Sequence, residues 1–330
     1  MIYESQIFIP KDTPVNDVLD LFRYLGYTKT KRSKWIVASN HIASYYWFDE
    51  TDYKSWGGVY CTVHGESNAS FVLARTGSAS SYWDLEFQNK TIREFKKKFG
   101  SKFVTNAGVN RFLHPIGKPP PPEQSGSYLA FERFKTNLIK ARLYIKDRTF
   151  SDTWNDTNNI SFVDQINPRL LSNNLLLPFL VSSMEDYFKS VFICLLKYSD
   201  KKETIIKSGR ISTDQLLRIS NNELTVEEAI AEMSSFQNIN LICKHFKAIN
   251  STLDLEAELK RPSKRRKISL HESLEEIVAR RHNFIHHAEM DTKFTDKDVL
   301  RALNDIQESA TRFYGLLIKK YSWQPLKVYE

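Results

Sequence analysis

The chain has 330 residues, 41% hydrophobic and 13% aromatic, which supplies one large core or two smaller ones and excludes a largely disordered polymer. Lys plus Arg outnumber Asp plus Glu by 47 to 39, a net charge of +8; this moderate basic excess suits a nucleic-acid partner without proving one. Three well-separated cysteines, Cys61, Cys194 and Cys243, exclude a disulfide ladder or a CxxC zinc pattern and fit a reducing cytoplasm.

The opening MIYESQIFIP has neither a basic region nor a long apolar run, so no signal peptide is expected. No window approaches the roughly 18 apolar residues of a membrane span. Thr13-Pro14 reads as an N-cap with a first-turn proline, opening a helix through Val15, Val18, Leu19 and Phe22 that stops near Gly26. Five β-prone runs follow: Lys34–Ser39, Ile42–Phe48, Val59–His64, Phe71–Ala74 and Tyr82–Phe87. Turn residues separate them, as in Trp56-Gly57-Gly58 and Gly65-Glu66-Ser67-Asn68. Thr91-Ile92-Arg93-Glu94 has capping-box spacing and announces a second helix, which ends at Gly100. Lys96, Lys97 and Lys98 complement the dipole at its end. Residues 1–114 are therefore expected to form an α+β domain. Its aromatic residues Trp35, Tyr45, Tyr46, Trp47, Trp56 and Trp83 would serve as core, or as a surface for RNA bases, a nucleotide signal or a protein trigger.

The run 115-PIGKPPPPEQSGS-127 is expected to be a linker, stiff through Pro119–Pro122 and flexible after it. Residues 128–330 read as all-α. Leu176, Leu180, Met184, Tyr187, Phe188, Val191, Phe192 and Leu195 form one wide apolar stripe, with Cys194 as plain core. Ser151–Asn159 is polar and expected to be a loop. Val299, Leu303, Ile306, Ala310, Phe313 and Leu317 repeat in steps of four and three, a seam for packing on another helix. The run 261-RPSKRRK-267 holds Lys264, Arg265, Arg266 and Lys267, which would contact RNA phosphates or form a solvated loop.

The densest chemistry lies in 278-VARRHNFIHHAEMD-291. Ser269 and Glu272 form a capping box, so a helix starts there. Leu274, Ile277, Val278, Phe284 and Ile285 make its apolar stripe, and Arg281 falls near the middle of that stripe. A guanidinium in an apolar seam must be paired or must face a cleft or a partner. His286 is five residues on, about 140° round and about 7.5 Å along an ideal helix. One helix therefore does not bring the two together; a groove between helices, or two copies about a two-fold axis, would. His282 and His286 have the i, i+4 spacing of a helical zinc pair, but Asn283 stands where a zincin has its glutamate, and no metal ligand set is assigned.

Arg281-His282-Asn283-Phe284-Ile285-His286 resembles the R-(polar)-x3-H signature of HEPN domains, the higher-eukaryote-and-prokaryote nucleotide-binding helical domains. The string through Asp291 and the closing helix is similar to the prokaryotic ribonuclease branches. The helix 175-LLLPFLVSSMEDYFKSVFICLL-196, with Glu185 amid its apolar run, resembles that family's first core helix. The likeness covers roughly residues 128–321. It implies that the α+β domain read above is followed by an all-α, HEPN-like helical bundle that dimerises, with Arg and His of both subunits lining one cleft. It further implies RNA cleavage without metal or cofactor, in a toxin or anti-phage effector of the cytoplasm. In that scheme His286 is general acid or base, Arg281 holds the scissile phosphate, and His282 or Asn283 orients phosphate or histidine, with Glu185 in support. Ala288 stands where some members carry a tyrosine, so nothing built on that tyrosine is carried over. An antitoxin, or a trigger ligand at the first domain, is a further implied partner. The alternatives are a non-catalytic HEPN module binding RNA or protein, and a metal-dependent hydrolase using His282 and His286.

Overall fold

The computed structural model describes residues 2–31, 40–66, 69–77, 79–115, 117–151, 154, 157, 160–262 and 267–326. The run Lys34–Ser39 with Trp35, and the cations Lys264, Arg265 and Arg266, lie outside them. The chain divides into two compact units between Ser125 and Gly126.

The first unit is an antiparallel sheet with two helices. Its elements are β1 (Tyr3–Ile9), α1 (Val15–Tyr24), β2 (Thr28–Thr30), β3 (His41–Trp47), β4 (Val59–Glu66), β5 (Ala69–Thr76), α2 (Tyr82–Phe99), β6 (Lys102–Thr105) and β7 (Gly108–Val109). The sheet order is β2-β3-β4-β5-β1-β6-β7. Register aligns Ile7 with Val72, Val72 with Val63 and Val63 with Ala43, so these side chains share one face. With Val18 and Phe22 of α1 and Ile92 and Phe95 of α2 they form the core. Phe22 stacks on Tyr45 at 4.5 Å between centroids.

Two expectations fail here. The segment Tyr82–Phe87 is helix, not strand, because the capping box lies earlier: Ser81 and Asp84 bond each other's backbone, and α2 opens at Tyr82. Thr91 is thus inside the helix, its hydroxyl donating to the Phe87 carbonyl at 3.0 Å. Asp84 also accepts from the Trp56 and Gly57 amides at 3.0 and 3.1 Å, which pins the β3–β4 loop to α2. At α1, Pro14 itself occupies the N-cap and no side chain caps it.

The described part of the second unit is helical. It comprises α3 (Pro122–Asp147), α4 (Ser161–Gln165), α5 (Pro168–Lys197), α6 (Lys202–Ser208), α7 (Thr213–Ser220), α8 (Val226–Met233), α9 (Ile239–Ile249), α10 (Leu255–Lys260), α11 (Leu270–His287) and α12 (Asp296–Tyr321). Residues 123–127, expected to be flexible, and Pro122, expected to belong to the stiff spacer, form the first turns of α3. Proline at the first helical position fixes φ and has no N–H left unpaired, so Pro122 starts the helix instead of extending the spacer. Helix α5 carries buried side chains on most of its circumference, and α8, α9, α11 and α12 pack against it. The α12 seam is buried throughout, with Val299, Leu303, Ile306, Ala310, Phe313 and Leu317 all in the core. All three cysteines are buried. Among the described residues, no helix is long and apolar enough to cross a membrane.

Candidate functional site: the C-terminal half of helix α11

Helix α11 begins as its sequence requires. Ser269 accepts from the Glu272 amide at 3.2 Å, and Glu272 accepts from the Ser269 amide at 2.8 Å. Leu270, Leu274 and Ile277 are buried in the core. The apolar stripe then loses its cover. Val278, Arg281 and Phe284 are half-buried, while Ile285 is exposed, as are His282, Asn283, His286 and His287. The helix ends at Ala288, which is left-handed with φ 51°.

Arg281 is turned towards α5, where its charge acts on Glu185. Burial pushes the Glu185 carboxyl above its ordinary value; the Arg281 guanidinium and a hydrogen bond with Gln237 draw it part of the way back. Glu185 Oε1 and Arg281 Nε are both buried and, among the described residues, have no hydrogen-bond partner. Donor and acceptor capacity is therefore left unused on both side chains among the described residues. The sign of the Glu185 shift gives a testable consequence. Its folded-state value is raised, so the native state binds protons more readily than the unfolded chain, and stability falls as pH rises from the ordinary carboxyl value through the raised one. Glu185→Gln is expected to flatten that part of a stability-against-pH curve from chemical denaturation. An unchanged slope would mean the carboxyl is not desolvated.

His282 and His286 lie on the exposed side of α11, ring centroids 4.4 Å apart, and His287 lies 6.0 Å from His282. Arg281 and His286 therefore point to different sides of the helix, as the five-residue spacing implied. The turn that follows is held tightly. Arg280 pairs with Asp291 and lies over the Phe294 ring at 5.4 Å. Asn174 of α5 exchanges two bonds with the Asp291 backbone, at 3.1 and 3.0 Å, and Asn173 donates to the Phe294 carbonyl at 3.0 Å. Arg148 closes the set by donating to Asp296 at 2.5 Å.

The expected site residues are thus partly assembled. Arg281 acts on Glu185 through its charge without an ion pair or hydrogen bond between them among the described residues, the His282 and His286 rings are in contact, and Asn283 is exposed. Lys267 is exposed. Of the expected recognition aromatics, Tyr45 is interior and Trp47 stacks on Phe87 at 3.6 Å, which makes them packing residues. Gln237, Asn173, Asn174 and Arg148 are not singled out from sequence; a pair of asparagines inside a leucine-rich helix is the signal that could have pointed to buried partners. Among the described residues, no three His, Cys, Asp or Glu side chains converge as a metal cage.

Comparison with protein-family models, with curated proteins and with solved structures returns no match. The fold and the site geometry therefore carry the functional argument by themselves.

Proposed function

We propose that the chain is a metal-independent RNA endonuclease of the HEPN kind, acting in a toxin or anti-phage role. One observation carries the reading. A single capped helix presents a half-buried guanidinium with an unpartnered Nε and, beside it on the exposed face, a pair of imidazoles. A planar guanidinium suits a phosphodiester and the charge that develops on it. An exposed imidazole suits proton transfer to or from the ribose 2′-hydroxyl or the leaving oxygen. Here His286 is the acid or base, with His282 and Asn283 in orienting roles; Lys264, Arg265, Arg266 and Lys267 would hold flanking phosphates.

A site needing both Arg281 and His286 is more readily built from two copies. The apolar face that a second copy would cover has candidates: Leu175, Phe179 and Ile285 are 57%, 39% and 45% exposed. Glu185 lies opposite Arg281, and Asn174 bonds Asp291, so α5 and α11 run antiparallel and Phe179 falls level with Ile285 and His286. Phe179→Asp is expected to yield a monomer by light scattering and to lose cleavage with it; a dimer that survives the change would move the interface elsewhere. The reading itself is tested by mapping RNA ends made by purified protein in chelator. Ends bearing a 2′,3′-cyclic phosphate are expected, since attack by the sugar's own hydroxyl leaves them. Glu185 beside Arg281 favours a second reading, a non-catalytic module in which the pair is structural, and intact RNA bound without cleavage in that assay would select it.

A further inference from the structure

His282 and His286 have a capacity that proton transfer does not use. They stand one turn apart on a rigid helix, ring centroids 4.4 Å apart and planes inclined by 43°. Two neutral imidazoles at this spacing can reach one tetrahedral ion at the usual nitrogen–metal distance of about 2.0–2.1 Å. The helix already fixes the separation of their Cα atoms, so binding restricts only side-chain rotation. Among the described residues, neither ring is engaged in a hydrogen bond. Both rings lie in the C-terminal half of α11, nearer the carbonyl end that favours a cation. Arg281, the adjacent cation, is half-buried and its charge acts on Glu185, whereas both histidines are exposed. No third protein donor completes a cage among the described residues, so the remaining coordination positions fall to water or to the same pair of a second copy.

We infer that His282 and His286 chelate a borderline divalent metal ion such as Zn2+, and that the bound ion withholds His286 from proton transfer. Nitrogen donors of this type select Zn2+, Ni2+ or Cu2+ over Mg2+ and Ca2+. The ion occupies the imidazole lone pairs that would otherwise accept a proton, so it acts as an inhibitor. The chelation stands on its own geometry; only the inhibitory consequence rests on the ribonuclease reading.

The test uses the full chain, freed of metal with chelator and titrated with ZnCl2 by calorimetry. Saturable binding is expected at one ion per chain, or one per two chains if the pairs of two copies join. His282→Gln is expected to weaken it about tenfold or more, since loss of a direct ligand costs at least what loss of an outer-sphere partner does. His287→Gln serves as the control and is expected to bind as the unmodified chain. All three histidine positions are exposed, so circular dichroism should be unchanged in each variant. Equal zinc affinity in His282→Gln, His286→Gln and the parent chain overturns the site. In a parallel RNA assay Zn2+ is expected to stop cleavage and chelator to restore it. Cleavage that requires Zn2+ overturns the inhibitory role. Zinc binding lost in His282→Gln, in a chain that never cuts RNA in chelator, upholds the chelate and removes only the ribonuclease reading.

Discussion

His286→Ala is expected to lower RNA cleavage by about 10²–10⁴-fold, the usual contribution of a positioned general acid or base, with no loss of thermal stability. The side chain is exposed and, among the described residues, makes only a ring contact with His282, so little packing goes with it. Arg281→Ala is expected to cost about 10²–10³-fold, as does removing one donor from a developing oxyanion. Arg281→Lys should recover little, because an ammonium offers a point charge where a fork is needed. The decisive experiment mixes the two inactive variants. If each site takes Arg281 from one copy and His286 from the other, a hybrid dimer holds one intact site and one doubly defective site. Random mixing makes about half the dimers hybrid, so about a quarter of the original activity should return. A mixture as dead as its parents would place both groups within one chain. Undiminished cleavage by both variants would remove the assignment altogether.

What the sequence disclosed depended on how local the physics was. The seam of α12 was legible because its apolar residues recur in steps of four and three, and all of them are buried. The start of α11 was legible because Ser269 and Glu272 satisfy each other within one turn. Strand β1 was not. Tyr3–Ile9 places Ser5 on its buried face, where the Gln88 amide donates to it at 2.8 Å, so the expected apolar alternation is broken by a bond to a residue far along the chain. Helix α2 was misread because Thr91–Glu94 has the same spacing as Ser81–Asp84. Thr91 also meets the Tyr27 hydroxyl at 2.8 Å, a contact that only the folded unit creates. At the candidate site, the oddity of Arg281 in an apolar stripe was visible from spacing. Glu185 is reached through resemblance and Gln237 through neither, because α5, α11 and the segment before α9 are far apart in sequence and no local pattern links them.

Arg148→Ala is expected to destabilise the helical unit by about 3–5 kcal/mol, the range for removing one member of a buried ion pair. The Arg148 side chain is only 5% exposed, and that of Asp296 28%. The guanidinium donates to Ser172 at 2.8 Å, Asn173 at 2.6 Å and Asp296 at 2.5 Å, and lies against the rings of Tyr144 and Phe150. It thus joins the end of α3, the start of α5 and the first residue of α12. Deleting it removes the cation paired with the Asp296 carboxylate, which keeps the Asn173 amide as a donor at 3.0 Å, and leaves the Asn173 carbonyl oxygen without its guanidinium donor. Asp296 sits in the first turn of α12, where the helix dipole still favours its charge, so the loss should lie at the lower end of the range. Arg148→Met with Asp296→Asn should cost less than the sum of the two single changes, since the second removes the charge that the first leaves unpaired. Urea unfolding should report the single change as a lower midpoint at constant slope. Asn173 also holds the Phe294 carbonyl in the turn that ends α11, so the loss of Arg148 should broaden amide signals from Ala288 to Thr295 before global unfolding. A midpoint lowered by less than about 1 kcal/mol, the value of an exposed pair, would mean that water already reaches this cluster and that Arg280, Asp291 and Asn174 hold the turn behind the histidines without help from Arg148.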